Sequence, residues 1–107
     1  MDPVRPLTLI EAVREQTRVR HYSIRTEKTY VGWIRRYIRF CGGRHPRELG
    51  VDALTTFLTH LAVDLKVAAG TQNQALQALL FLYRDVLRMD LPMLDQVVRA
   101  NKPRRLP

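Results

Sequence analysis

The residues of this chain that could do covalent or metal chemistry are four tyrosines, three histidines and one cysteine, and their spacing points away from both. A side-chain nucleophile needs a base within hydrogen-bond reach and a third group to orient that base. Ser23 stands close to His21, but no neighbouring carboxylate is placed to hold the imidazole. His21, His45 and His60 are scattered, and with Cys41 as the sole cysteine no zinc-ligand spacing arises. Gly42-Gly43 runs into Arg-His-Pro, not into the Lys-Ser/Thr helix start of a phosphate-cradling loop. Tyr30, Tyr37 and Tyr83 fall on apolar helical faces, where a tyrosine is ordinarily core, and Tyr22 alone has a polar, basic setting. No catalytic centre, metal site or cofactor is expected, and the chain by itself does not read as an enzyme.

Binding chemistry is better represented, at two places. The first is the basic turn Arg20, His21, Tyr22, Ser23, Ile24, Arg25, Thr26, Glu27, Lys28 and Thr29, which leads into a helix. Arginine and lysine neutralise phosphates, while hydroxyls and helix N-terminal N–H groups position a nucleic-acid backbone. The plainer reading is that Ser23 or Thr26 only caps the helix, which is compatible with phosphate contact. The second place is the polar run Thr71, Gln72, Asn73 and Gln74, with Lys66 upstream as a phosphate ligand. Asparagine and glutamine amides make bidentate contacts to adenine when a helix N-terminus enters a major groove. Here the plainer reading is a solvated first turn with an ordinary cap.

Helices must hold both places. The first is expected from about Leu7 to Arg20, with a thin stripe of Leu9, Ala12, Val13 and Thr17. The second, from about Thr26 to Cys41, puts Tyr30, Ile34, Tyr37 and Cys41 at the i, i+4, i+7, i+11 spacing of one face. Lys28, Arg35 and Arg39 then lie opposite, with Thr29 and Arg36 to one side, so this helix is core on one side and cationic on the other. Trp33 lies about 60° off the apolar stripe, at the core edge, with base stacking as the alternative. Gly42-Gly43 stops the helix, and His45-Pro46 keeps the next loop from being helical.

A third helix, about Val51 to Leu65, carries Leu54, Phe57, Leu58, Leu61 and Leu65 on one face and no basic group before Lys66, which makes it scaffold. Gly70-Thr71 opens the fourth, with Thr71 and Gln74 in the spacing of a capping box. From Ala75 to Leu87 that helix is apolar almost all round, the pattern of a centrally buried element. A short apolar piece follows Pro92, and Lys102-Pro103-Arg104-Arg105-Leu106-Pro107 reads as an extended basic strap. The expected architecture is all-α, a bundle of four to five helices: residues 1–6 as a tail, 7–98 as the domain and 99–107 as a linker.

Composition narrows the partner. The chain has 107 residues, enough for one domain, and 46% are apolar, enough for one core. Lys and Arg number 18 against 10 acids, a formal charge of +8. The basic groups cluster: Arg14, Arg18, Arg20, Arg25, Lys28, Arg35, Arg36 and Arg39 face only Glu15 and Glu27, and Arg99, Lys102, Arg104 and Arg105 close the chain. Uneven positive charge of this size fits a polyanion, and the bland alternative is a solubilising face. The lone cysteine fits a reducing compartment, no apolar run approaches a membrane span, and the first residues lack the apolar stretch of a signal peptide, so a cytoplasmic, non-membrane protein is expected.

At this point the residues resemble a known family. Arg20-His21-Tyr22-Ser23-Ile24-Arg25-Thr26-Glu27-Lys28-Thr29-Tyr30 with Trp33-Ile34, and Thr71-Gln72-Asn73-Gln74-Ala75-Leu76 through Leu80-Phe81-Leu82-Tyr83, are similar to the SAM-like core-binding domain of integron integrases, within the tyrosine recombinases. The resemblance implies a DNA-binding N-terminal jaw of a two-domain clamp, acting in DNA integration and recombination of gene cassettes through a phosphotyrosine intermediate. It places the helices starting near Thr26 and Thr71 against duplex or hairpin-folded single-stranded DNA. The catalytic residues of the family belong to a domain after the strap, so none of the tyrosines here takes the nucleophile's role. It also implies four copies on paired DNA for the full-length protein, a monomer for this fragment, and a bacterial, nucleoid-associated setting. The competing expectation is a helical adaptor for RNA or an acidic protein, which would leave Thr71-Gln72-Asn73-Gln74 without a purpose.

Overall fold

Ser23 starts the longest helix. Its Oγ accepts from the Thr26 N–H at 3.1 Å, and the chain then stays helical to Phe40. The computed structural model describes residues 6–89, which form α1 (Pro6–Val19), α2 (Ile24–Phe40), α3 (Val51–Thr59) and α4 (Ala69–Phe81). There is no strand among the described residues. The apolar piece after Pro92 and the basic strap lie outside them.

The helices begin and end where local chemistry allows. The last carbonyls of α1 are met by a paired closure: His21 N–H donates to Arg18 O at 3.0 Å and Tyr22 N–H to Thr17 O at 2.9 Å. That closure puts His21 at φ 59, a left-handed conformation usually given to glycine. α2 ends in the same way on Gly42 and Gly43, with φ 75 and 82, where the left-handed backbone carries no Cβ penalty. α3 and α4 both run on into a widened turn, His60–Asp64 and Leu82–Val86, and leave it through Lys66 and Arg88 at φ 52 and 51. Cations at these exits face the negative end of each helix dipole.

Three local expectations are corrected. α2 begins at Ile24, not near Thr26, because Ser23 and not Thr26 is the cap. Pro46–Glu48 forms a 3₁₀ turn where a non-helical loop was expected, capped by His45 Nδ1 accepting from Arg47 N–H at 2.9 Å. α4 begins at Ala69 with no side-chain cap, so the box between Thr71 and Gln74 does not form. Ala68 takes the cap position, and its carbonyl accepts the Gln72 N–H at 3.0 Å, which moves Thr71 inside the first turn.

The core follows the predicted faces except at Leu65, which is 48% exposed because the widened turn His60–Asp64 ends the helix before it and takes it off the apolar face. Leu9, Ile10 and Val13 of α1 meet Val31, Ile34, Tyr37 and Ile38 of α2, Leu54, Phe57 and Leu58 of α3, and nearly all of α4 from Ala75 onward. α4 packs on α2 and α3, and the widened turn that continues it packs on α1. An all-round apolar helix is buried by several neighbours at once, as its pattern required. Trp33 is at the core edge, 8% exposed. Within the core Tyr37 and Tyr83 form a polar chain. Tyr83 donates to Pro46 O at 3.0 Å, and since its one proton is used there, Tyr37 is the donor in the 2.8 Å contact between the two hydroxyls.

Gly32 is the exception to this pattern of residues suited to their helices. It sits mid-helix in α2 and is exposed. Glycine there costs about 0.8–1.0 kcal/mol relative to alanine.

Candidate nucleic-acid interface

The turn between α1 and α2 is held from below by one buried acid. Glu27, 7% exposed, accepts from Thr17 Oγ1 at 2.9 Å and from Arg18 Nε at 3.3 Å. Thr17, fully buried, also lies 2.8 Å from Arg14 O. The hydrogen bond from Thr17 holds the Glu27 carboxyl below its ordinary range, with help from Arg18 and Arg14 and against the opposing effect of burial. α1 and α2 are thereby joined at the point where the chain reverses. Ser23 completes the turn by donating to Thr26 Oγ1 at 3.0 Å.

That reversal aims the start of α2 at the start of α4. Arg25, Thr26, Thr29 and Tyr30 from α2 face Asn73, Gln74 and Gln77 from α4 across a groove of about 330 Å³. The two motifs that stood far apart in sequence therefore share one concavity. One wall offers a guanidinium, two threonine hydroxyls and the Tyr30 phenol, and the other offers a row of primary amides. Both helices point their N-termini, the positive ends of their dipoles, at this side of the domain, and no side chain caps α4. Phosphate oxygens and base edges are the ligands such a set of donors and acceptors suits.

The other predicted site residues are distributed as follows. Gln72 is turned away from the groove and donates through Nε2 to Leu58 O at 3.0 Å, tying α4 to α3. Thr71 is half-buried beside it. Lys28, His21 and Lys66 are exposed, the last two in the left-handed positions described above. Tyr22 packs on Tyr30 and Phe81, with ring centroids at 6.1 and 5.6 Å. Burial pushes the Tyr30 phenol up, with smaller contributions from Tyr22 and Asp85. Lys102, Arg104 and Arg105 lie outside the described residues.

Arg20 belongs to a separate concavity of about 510 Å³, shared with Arg84, Asp85 and Arg88. Its guanidinium bonds Gln16 Oε1, reaches Asp85 at 3.4 Å and lies 5.8 Å from the Phe81 ring centroid. Arg36 is set against Trp33, with its guanidinium carbon 4.6 Å from the ring centroid, so that ring face is occupied.

Sequence reasoning missed Tyr30 and Gln77 as groove residues and Arg84 and Arg88 as neighbours of Arg20. Gln77 could have been found, since it follows Asn73 at i+4 on the same helical face. Tyr30 could not, because a residue half in the core reads from periodicity as core. Among the described residues no group of His, Cys, Asp or Glu could hold a metal ion, and no helix is long and apolar enough to cross a membrane.

Comparison with known proteins agrees with this architecture. Residues 9–93 match the phage integrase N-terminal SAM-like domain. Integrase/recombinases from Escherichia coli and Pseudomonas aeruginosa are each 47% identical to the chain over 107 residues, which is 100% of this chain and 32% of theirs. The chain thus spans about a third of the length of these curated relatives, the part that corresponds to an N-terminal helical domain. By that match over most of its length, the chain belongs to the phage integrase N-terminal SAM-like domain family.

Proposed function

We propose that this domain binds DNA as the N-terminal jaw of a site-specific tyrosine recombinase of the integron type. The observation that carries the reading is the groove between α2 and α4, where Arg25, Thr26 and Thr29 stand opposite Asn73 and Gln74. A basic wall beside an amide wall separates two tasks: binding phosphates sets the register, and amides read base edges. Arg36, Lys28, His21 and Lys66 extend the phosphate-binding surface around the groove. Chemistry on the DNA belongs to a catalytic domain that the strap bearing Lys102, Arg104 and Arg105 would reach. The full-length protein would work as four copies on paired DNA, joining gene cassettes whose ends are duplex or folded from a single strand.

The test is an NMR titration of the labelled chain with a short duplex, a DNA hairpin and a matched RNA at low salt. Shifts concentrated at residues 20–29, 66–74 and 77 on DNA support the reading and map the bound face. Shifts with RNA alone, or with no nucleic acid, would sink it and leave an adaptor for RNA or an acidic protein.

A further inference from the structure

Nothing inside the fold asks for glycine at position 32. The residue has no left-handed backbone, it is exposed in the middle of α2, and a Cβ built on it meets no atom within 4 Å. Glycine in a helix interior is destabilising relative to alanine, because the unfolded chain has more freedom to lose. A bare helix backbone has one evident use at an exposed site, which is to let the surface of another molecule come close.

The neighbours of Gly32 indicate which molecule. At 100° per residue Gly32 shares one side of α2 with Arg25, Thr29, Arg36 and Arg39. The one acid of α2, Glu27, is buried and turned away from that side. Arg25 lines the groove at the near end of the helix, and Arg36 and Arg39 line a smaller concavity of about 210 Å³ with Phe40 and His60 at the far end. Helical rise sets Arg25 and Arg36 roughly 16 Å apart along the axis, with Gly32 between them. Arginines at that separation reach phosphates at two points along one DNA strand, and the bare backbone at Gly32 lets the sugar-phosphate chain between those points lie against the helix. Arg36 is already held in place by Trp33.

We infer that Gly32 is the point of closest approach of duplex DNA to α2, with Arg25 and Arg36 on phosphates to either side. The inference rests on the DNA-binding reading above and adds to it a residue whose missing side chain is the functional feature. Gly32→Ala fits the fold and removes the helix penalty, so stability and binding should move in opposite directions. Thermal melts and fluorescence-anisotropy titrations of the whole chain with a labelled mixed-sequence duplex read both quantities.

Gly32→Ala is expected to raise Tm by roughly 4–8 °C and to weaken DNA binding by roughly tenfold. Gly32→Leu should weaken it further, and neither should flatten the salt dependence, since the arginines that neutralise phosphates are untouched. Gly32→Ala that binds as tightly as the natural chain overturns the inference, as does a variant with lower Tm, which would mean the glycine serves the fold. Arg36→Ala separates the two levels. If it weakens binding and flattens the salt dependence while Gly32→Ala is neutral, DNA binding stands and the role of Gly32 falls. If the natural chain binds no duplex, the DNA reading falls and the inference with it.

Discussion

At the scale of single residues, two hydroxyl groups illustrate how a buried polar pair is made safe. Tyr37 and Tyr83 are both fully buried, and burial pushes both phenols up, Tyr83 to about 12. Neither ionises near neutral pH, so the chain from Tyr37 through Tyr83 to Pro46 O stays one of neutral donors and acceptors. The two tyrosines are not equivalent. Tyr83→Phe strands the Tyr37 hydroxyl, and an unsatisfied buried group costs about 1–3 kcal/mol. It also removes one of two donors to Pro46 O, which keeps the Leu49 N–H at 3.0 Å. Tyr37→Phe removes one donor and leaves the bond from Tyr83 to Pro46 O intact, so a destabilisation of about 1 kcal/mol is expected. Urea unfolding of both variants checks the order, and equal effects would mean that the Pro46 bond contributes nothing.

At the scale of elements, the junction of α1 and α2 is electrostatic where the rest of the bundle is apolar. Thr17 and Arg18 of α1 hold the buried Glu27 of α2 as a carboxylate, and this fixes the turn from Arg20 to Ser23. A carboxyl whose folded-state pKa is depressed contributes stability above its unfolded value and loses it as pH falls through the folded value. The contribution of Glu27 is therefore present at neutral pH and fades below about 4.3, the ordinary glutamate range. Glu27→Gln should lower Tm at pH 7, and the gap to the natural chain should narrow in acid. A gap that does not change with pH would show that shape, and not charge, matters at this position. The same junction aims the start of α2 at α4, so loosening it should also weaken any ligand held between them.

At the scale of the whole molecule, the basic groups are not spread evenly over the bundle. α3, including its widened turn, presents Asp52, Thr55, Thr59 and Asp64 to solvent without a lysine or arginine, while the exposed side of α2 carries Arg25, Lys28, Arg35, Arg36 and Arg39. On the proposed DNA-binding reading, this polarity lets phosphate binding and base reading be separated by experiment. Arg25→Ala or Lys28→Ala should weaken binding to every duplex alike and reduce the slope of log K against log salt by roughly 0.9 for each phosphate no longer neutralised. Asn73→Ala or Gln74→Ala should cost about 1–3 kcal/mol at a preferred site and less on random sequence. Gln72→Ala should instead act on stability, because its amide is bonded to Leu58 O. Equal weakening on all sequences for Asn73 and Gln74 would reassign that wall to binding the DNA backbone.

What the chain determines by itself is whatever depends on short-range pattern. The helices, their apolar faces, the stop at Gly42-Gly43 and the central place of α4 all follow from periodicity and local backbone preference, and each is legible in the residues alone. The family is legible too, from two motifs in the right order. Tertiary structure decided the pairings. It chose Ser23 as the cap of α2 and left α4 without a side-chain cap, because that helix starts at Ala69 with Ala68 at the cap position and Gln72 has Leu58 O to bond. It brought Arg25, Thr26 and Thr29 against Asn73 and Gln74, and it sent Arg20 and Arg36 to separate concavities. The reason is geometric: periodicity says which side of a helix is buried, whereas the neighbour on its exposed side depends on how helices distant in sequence cross.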